Sequence, residues 1–320
     1  MDEQPLVTIV TPSYNQGQFI AETIESVLAQ TYPQLEYIII DGGSTDDTLA
    51  VIRRYESDPR LIWVSEPDRG MGHALNKGFD RSKGAIMGWL NSDDVLIGQP
   101  VAETVAFFSA HPDVAVVYGD AIYTDADGKP TGKLQLGRPF DFIRTLAYLN
   151  CVPQPGTFWR RSLWEKIGPL REDFHLMLDA EYWLRASRAG KLQYCPGVRG
   201  TYRLHEASKS TLYEIKSLEE HRLLIDEMYA DPTHYPEAAA NRQLIESDLA
   251  LQFAKAYWRQ GEKSPSRHYA SRALRQSPLR RRWPAILAFY LDTHLGTNLA
   301  GGLSNGWRFF KSLAGGKNYE

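Results

Sequence analysis

The sequence predicts an α/β protein: a mostly parallel, Rossmann-like sheet with helices on both faces and an antiparallel edge, followed by an all-α C-terminal extension. Three observations carry that expectation. Over residues 6–118, short continuous apolar runs alternate with amphipathic stretches, the pattern of strands buried on both faces. Over 120–205 the spacing shifts to short strands with a hairpin-turn signal. Beyond about 211 only helical periodicity remains.

Each element has its own justification. Residues 6–11 read as the first strand, ended by the turn-forming Pro12-Ser13-Tyr14-Asn15. Ile20, Ile24, Val27 and Leu28 then share one helical face. Residues 35–40 form a continuous apolar strand that enters Asp41-Gly42-Gly43-Ser44-Thr45. Ser44 or Thr45 is expected to cap the next helix, with Asp46 and Asp47 complementing its dipole. A strand at 61–64, a short helix at 73–79 and a strand at 85–90 follow, the last running into Asn91-Ser92-Asp93-Asp94. Val101, Val105 and Phe108 mark a helix, and 114–118 a strand. Ligands of such sheets bind beyond the carboxyl ends of the strands, so the turns at 12–15, 41–45 and 91–94 are expected to be neighbours. Asp125-Ala126-Asp127-Gly128 then reads as a hairpin turn adding antiparallel strands to the edge. A short strand at 157–161, a helix at 178–189 and two strands, 191–195 and 200–204, complete this part. In the extension, Ile245, Leu249, Phe253, Ala256 and Tyr257 form an apolar stripe, and 254–274 resembles one tetratricopeptide-type hairpin.

Composition narrows the classes. Hydrophobic residues at 43% and charged ones at 23% are ordinary for globular chains and argue against disorder, collagen and coiled coil. No apolar run approaches the ~20 residues of a membrane helix. The acidic start, MDEQPLVTIV, is unlike a secretory leader, and two cysteines, Cys151 and Cys195, cannot build a disulfide framework or a thiolate zinc site. A cytoplasmic protein is expected. The net charge of -3 hides a division: residues 251–320 carry twelve Lys/Arg against three acids, a balance of +9, which leaves -12 for residues 1–250. Such asymmetry suggests a separate partner for each part.

Four motifs occur in one order: Thr11-Pro12-Ser13-Tyr14-Asn15, Asp41-Gly42-Gly43-Ser44-Thr45-Asp46, Asn91-Ser92-Asp93-Asp94 and Asp179-Ala180-Glu181-Tyr182-Trp183-Leu184-Arg185. Glu66-Pro67-Asp68-Arg69-Gly70, Asn76-Lys77-Gly78 and Gln154-Pro155-Gly156-Thr157-Phe158 accompany them. Together they resemble the family 2 glycosyltransferases with the GT-A fold, and are most similar to the branch that builds bacterial O-antigens and exopolysaccharides. The resemblance covers roughly 5–210, so residues 1–210 are expected to be the catalytic domain and 211–320 the helical extension.

The chemistry of that family explains the residue types. A departing nucleoside diphosphate needs charge neutralisation, which a divalent ion (Mn2+ or Mg2+) held by carboxylates supplies. Asp93 and Asp94 are the candidate site, with Asp94 preferred as ligand; one acid of this motif also contacts ribose in the family, and Asp93 stands for that contact as well as for the metal. An isolated Asp pair would more often merely cap a helix. The resemblance adds His205, after Tyr202-Arg203, as a reach to metal or diphosphate, and Arg203 and Lys209 as further charge or a solvated face. An acceptor hydroxyl needs a base: the resemblance makes Asp179 that base and Glu181 a helper or acceptor contact, although Asp179 also suits a helix N-cap. Single displacement would invert the anomeric centre.

The resemblance places the nucleotide over the first loops, with Pro12, Tyr14 and Asn15 lining base and ribose and Asp41 near the base. Many members carry a second acid after Asp41 to read uracil, where this chain has Gly42; a UDP-sugar donor is favoured, with dTDP and GDP still open. Asp68, Arg69 and Asn76 fit the family's nucleotide-sugar loop, with Leu75 in place of its usual Arg and Arg69 as a candidate substitute. The expected acceptor is a glycan or lipid-linked glycan. Arg280-Arg281-Arg282-Trp283 and Trp307-Arg308-Phe309-Phe310-Lys311 suit either an anionic bilayer surface or packing on the protein or a second copy in a homodimer; nucleic acid is a poor fit to an acidic core. Two other functions compete. A sugar nucleotidyltransferase would want an N-terminal Gly-rich triphosphate loop, which is not seen. A non-catalytic nucleotide-sugar-binding or assembly subunit would not need Asp93, Asp94 and Asp179.

Overall fold

The computed structural model describes residues 4–148, 152–206, 213–277 and 283–295. Cys151, Lys209, the arginines at 280–282 and the 307–311 segment lie outside the described residues, as does the side chain of Trp283. The chain divides into two compact units, Met1–Thr145 with Leu149–Tyr213, and Leu146–Tyr148 with Glu214–Glu320.

In the first unit, β1 (Val7–Ser13), β2 (Leu35–Asp41), β3 (Leu61–Ser65) and β4 (Ile86–Trp89) run parallel in the order β3-β2-β1-β4. They are joined by α1 (Ile20–Leu28), α2 (Thr48–Arg53) and α3 (Met71–Arg81), and α4 (Pro100–Ala110) follows β4. Because side chains alternate along a strand, the apolar runs feed two cores. Val7, Ile9, Tyr37 and Ile39 pack with Ile20, Ile24 and Val27 of α1 and with Val101 and Phe108 of α4. Val10, Ile38 and Ile40 pack with Ala74, Leu75 and Phe79 of α3 and with Tyr182 and Trp183. The continuous apolar runs therefore record strands covered on both faces.

The edge is where expectation and structure differ. β5 (Val114–Thr124) pairs antiparallel with β6 (Pro130–Gln135) across the Asp125–Gly128 turn, and β7 (Phe158–Arg160) inserts antiparallel between β4 and β5. The two strands expected at 191–195 and 200–204 are one, β8 (Lys191–Arg203), parallel to β5. Pro196-Gly197 reads as a turn in sequence but forms an irregularity within the ladder, where Asp120 Oδ2 accepts the Gly197 N–H at 3.1 Å. Three short or shifted helices follow: α5 (Phe142–Tyr148), whose last three residues belong to the second unit, α6 (Arg161–Ile167) and α7 (Leu178–Ala186). α2 also starts later than expected. Its N-cap is Asp47 with no side-chain cap bond, so neither Ser44 nor Thr45 caps it.

The second unit is helical: α8 (Glu214–Ala230), α9 (Pro236–Ala240), α10 (Arg242–Arg259), α11 (Lys263–Gln276) and α12 (Trp283–Leu295). α10 and α11 make the hairpin read at 254–274, turning at Gly261 (φ 80°). Ala250, Ala254, Ala270 and Ala273 let the two backbones approach, and Ser266 Oγ donates to Ala254 O at 2.8 Å. Among the described residues no helix is long and apolar enough to cross a membrane.

One buried group makes this unit acid-sensitive. His221 is fully buried on α8, its Nε2 2.6 Å from Leu146 O, and burial pushes its pKa down to about 4. The unfolded chain takes up this proton below about pH 6.5, whereas the folded unit resists it down to about pH 4. Stability is therefore full above 6.5 and falls through that window by about 3 kcal/mol. Urea unfolding at pH 7 and pH 4.5 is expected to show the loss, and His221→Gln, which keeps a donor for Leu146 O, to shrink it.

Candidate active site

The strand order reverses direction between β1 and β4, and the crevice at that reversal is where open α/β sheets bind ligands. The turns after β1 and β2 are laced together there. Asn15 N–H donates to Ser44 Oγ (2.8 Å) while Asn15 Oδ1 accepts the Thr45 N–H (2.9 Å). Asn15 holds a positive φ of 52°, which an Asn tolerates better than most residues. Gly17 N–H donates to Asp46 Oδ2 at 3.0 Å. Pro12 is buried within β1 opposite Ile40, whereas Tyr14 stands 59% exposed.

Asp41 is fully buried and committed. Its Oδ2 accepts from Gly43 N–H, Ser44 N–H and Ser65 Oγ–H (3.0, 2.8 and 2.7 Å), and its Oδ1 from Ser44 Oγ–H. Three of the four bonds fall on Oδ2 and one on Oδ1, so Asp41 shapes the loop that was expected to lie near the base.

The 91–94 turn is built around opposite fates for two adjacent acids. Asp94 is 2% exposed; Oδ1 accepts the Arg203 N–H at 2.8 Å and Oδ2 faces Asn91 Nδ2 at 3.3 Å. Burial, then the charge of Asp93, holds its carboxyl well above the usual carboxylate range. Asp93 instead keeps a partly exposed side chain, with Oδ2 3.0 Å from His205 Nε2. That separation is about the edge between neighbouring ligands of an octahedral ion with ~2.1 Å bonds. Asp93 and His205 are hydrogen-bonded partners at the end of β4, while Asp94, the preferred ligand on sequence, faces inward. Among the described residues no group of three or more His, Cys, Asp or Glu is arranged to hold an ion. Such ions complete their shells with phosphate and water oxygens.

Arg203 is the brace of this turn. Its guanidinium, 2% exposed, donates to Asp93 O, Ala126 O and Glu22 Oε2 and lies over the Phe19 ring, against which His205 also packs at 4.6 Å. It is neither a diphosphate contact nor solvated, the two roles weighed for it. Gln154, 4% exposed, holds the other side by donating to Trp89 O at 2.6 Å. Gln154 carries a motif in the sequence but no role, and residue type alone does not mark Arg203 as a brace.

α3 and the loop before it are clasped to the loop before α7. Asn76, 8% exposed, both donates to Leu170 O (2.9 Å) and accepts from Leu170 N–H (3.0 Å). Arg69 donates twice to Glu172 Oε2, at 3.1 and 2.6 Å. Both residues, expected on the nucleotide, are hydrogen-bonded to the 170–172 loop, and Glu172, unmarked in sequence, is their shared partner. Asp68 is half-buried, its Oδ1 accepting the Gly70 N–H at 2.7 Å.

α7 separates its two acids by direction. Met177 is the N-cap, so Asp179 lies inside the first turn and is not the cap; it is half-buried, with Oδ1 accepting the Ala180 N–H. Glu181 is 5% exposed and paired with Arg185 through both oxygens at 2.9 Å. Arg185 also donates to the carbonyls of Ile167, Gly168 and Pro169, so Glu181, expected as a helper or acceptor contact, anchors that turn through Arg185.

Comparison with known proteins agrees with this architecture. A family model described as Glycosyl transferase family 2 matches residues 8–168. A PGL/p-HBAD biosynthesis glycosyltransferase of Mycobacterium bovis is 30% identical over 184 residues, 57% of this chain and 69% of that protein. S. aureus TarS 1-349, solved with UDP-GlcNAc, superposes with a TM-score of 0.62 at 16% identity over 94% of this chain and 92% of TarS. The mannosyltransferase PcManGT of Pyrobaculum calidifontis, solved with GDP-Man and Mn2+, gives 0.58 at 21% identity over 96% and 88%. With the family model covering half the chain, this protein belongs to glycosyl transferase family 2 and is a glycosyltransferase that uses a nucleotide-sugar donor.

Proposed function

We propose that this glycosyltransferase transfers a sugar, with inversion, from a nucleoside-diphosphate sugar to a hydroxyl of a glycan or lipid-linked glycan in polysaccharide or O-antigen-type biosynthesis. The observation that carries the reading is the division of labour at the β4 end: Asp94 is locked inward by Arg203 while Asp93 and His205 face each other at 3.0 Å. Asp93 and His205 would hold a divalent ion there, and Tyr14 and Asp68 would receive the nucleoside. When bound, the ion would supply Lewis-acid neutralisation of the leaving diphosphate. Asp179 would take the proton from the acceptor hydroxyl as its oxygen attacks the anomeric carbon from the face opposite the diphosphate. Two structural neighbours are in keeping with a nucleoside-diphosphate sugar donor: TarS was solved with UDP-GlcNAc and PcManGT with GDP-Man.

The test is a panel of nucleotide sugars assayed for nucleoside diphosphate release with and without Mn2+. Release is expected from a UDP-sugar and is expected to fall at least a hundredfold in Asp93→Ala. A wild-type protein that releases nucleotide equally well in EDTA would overturn the metal assignment.

The +9 balance of 251–320 supports a second proposal, that the extension rests on an anionic membrane face on the cytoplasmic side and brings the site to a lipid-linked acceptor. Removing residues 278–320 is then expected to abolish sedimentation with phosphatidylglycerol vesicles. Unchanged sedimentation, or loss of a dimer on the same truncation, would favour self-association instead.

A further inference from the structure

We infer that the pocket walled by α8, α10 and α11 in the second unit binds a neutral sugar of a glycan chain. All of its lining residues belong to the helical unit, outside the 8–168 stretch that the family model matches. Its volume is about 300 Å³, at the lower end of the roughly 300–1,000 Å³ of small-molecule sites.

Part of the wall is aromatic. Phe253 and Tyr257 stand one turn apart on α10, and Tyr269 meets them from α11. The Tyr269 ring centroid lies 4.7 Å from that of Phe253 and 5.7 Å from that of Tyr257, with the planes within 15° and 14° of parallel. Phe253 is buried and fixes the stack, whereas both tyrosines are half-buried. Neither phenol hydroxyl makes a hydrogen bond with a described residue. Burial, then the neighbouring Tyr269, Glu219 and Glu262, pushes the Tyr257 phenol up, so it stays a protonated donor. Tyrosine hydroxyls away from water usually have a partner. Two without one, lining the same pocket, offer themselves to a ligand's polar atoms.

The rest of the wall is ionic. Glu246 is buried on α10 and accepts from Arg222 of α8 through both oxygens (2.5 and 3.0 Å) and from Arg272 of α11 at 2.8 Å. A buried ion cluster adds little stability over apolar side chains of similar volume. What it provides is two guanidinium planes held rigid in one pocket, with donors in fixed directions.

This lining selects a ligand class. Arg222 and Arg272 are balanced by Glu219 and Glu246, so the pocket has no excess charge to draw a phosphate or a carboxylate. An acyl chain would strip water from those four charged side chains and return no hydrogen bond. A pyranose ring suits both parts of the wall. Its C–H face packs on an aromatic ring, and its adjacent hydroxyls donate to carboxylate and accept from guanidinium and phenol.

Saturation-transfer NMR on the full chain tests this. The probes are neutral trisaccharides of glucose, galactose, mannose, rhamnose and N-acetylglucosamine, with inorganic phosphate and glucuronate as charged competitors. At least one trisaccharide is expected to bind, with the strongest saturation on the C–H protons of one ring face, and to stay bound when UDP and Mn2+ are added. Tyr269→Ala is expected to weaken that binding at least about tenfold. The double variant Tyr257→Phe with Tyr269→Phe keeps all three rings, and with them the packing, and is expected to lose roughly tenfold through the hydroxyls alone. Binding of no neutral probe, displacement by phosphate or glucuronate, displacement by UDP with Mn2+, or wild-type affinity in either variant overturns the assignment.

Discussion

Asp179→Asn is expected to lower kcat by roughly 10²–10⁴-fold while leaving nucleoside diphosphate affinity within a factor of two or so of wild type. Asn is isosteric and can keep its Oδ1 as acceptor for the Ala180 N–H, so the start of α7 should stay in place. What it loses is basicity. The acceptor hydroxyl would then have to attack while still carrying its proton, and the loss falls on the transition state rather than on donor binding. Steady-state kinetics with titration of the same variant separate the two effects. A variant that turns over at the wild-type rate would remove Asp179 from the mechanism.

Glu181→Ala, two residues further along the helix, should do the opposite. Glu181 is buried and pairs through both oxygens with Arg185, whose guanidinium also ties down the 167–169 turn. Truncating one partner of a buried pair leaves the other charge uncompensated and costs about 3 kcal/mol or more. For a unit of this size that is a fall in Tm of roughly 10 °C. Calorimetry should show that shift, with residual activity per folded molecule much closer to wild type than in Asp179→Asn. Full stability with lost activity would return Glu181 to the acceptor site.

These neighbours show what sequence carries and what it leaves out. The strands were legible because burial on both faces writes continuous apolar runs, and the polar turns ended them at the carboxyl edge, where the site lies. The order of motifs identified the family. The direction in which each acid points was not legible, because distant partners set it. Asp94 turns inward for a backbone N–H 109 residues away, and Asn76 for a loop 94 residues away. Asp41 accepts hydrogen bonds within its own turn and from Ser65. Residue type alone reads alike for Asp68, which accepts one hydrogen bond, and for Asp41, which accepts four. The single strand β8 was hidden for a related reason: Pro196-Gly197 has the composition of a turn, yet the pairing with β5 resumes beyond it at Val198.

The most direct test of the account is the anomeric configuration of the first product. Proton NMR of a donor turned over with Mn2+, read before mutarotation, reports the new anomeric centre, even with water as the acceptor. A single displacement with Asp179 as base predicts that an α-linked nucleotide sugar gives the β-anomer first. Initial appearance of the α-anomer would contradict it and would require a second nucleophile in the site.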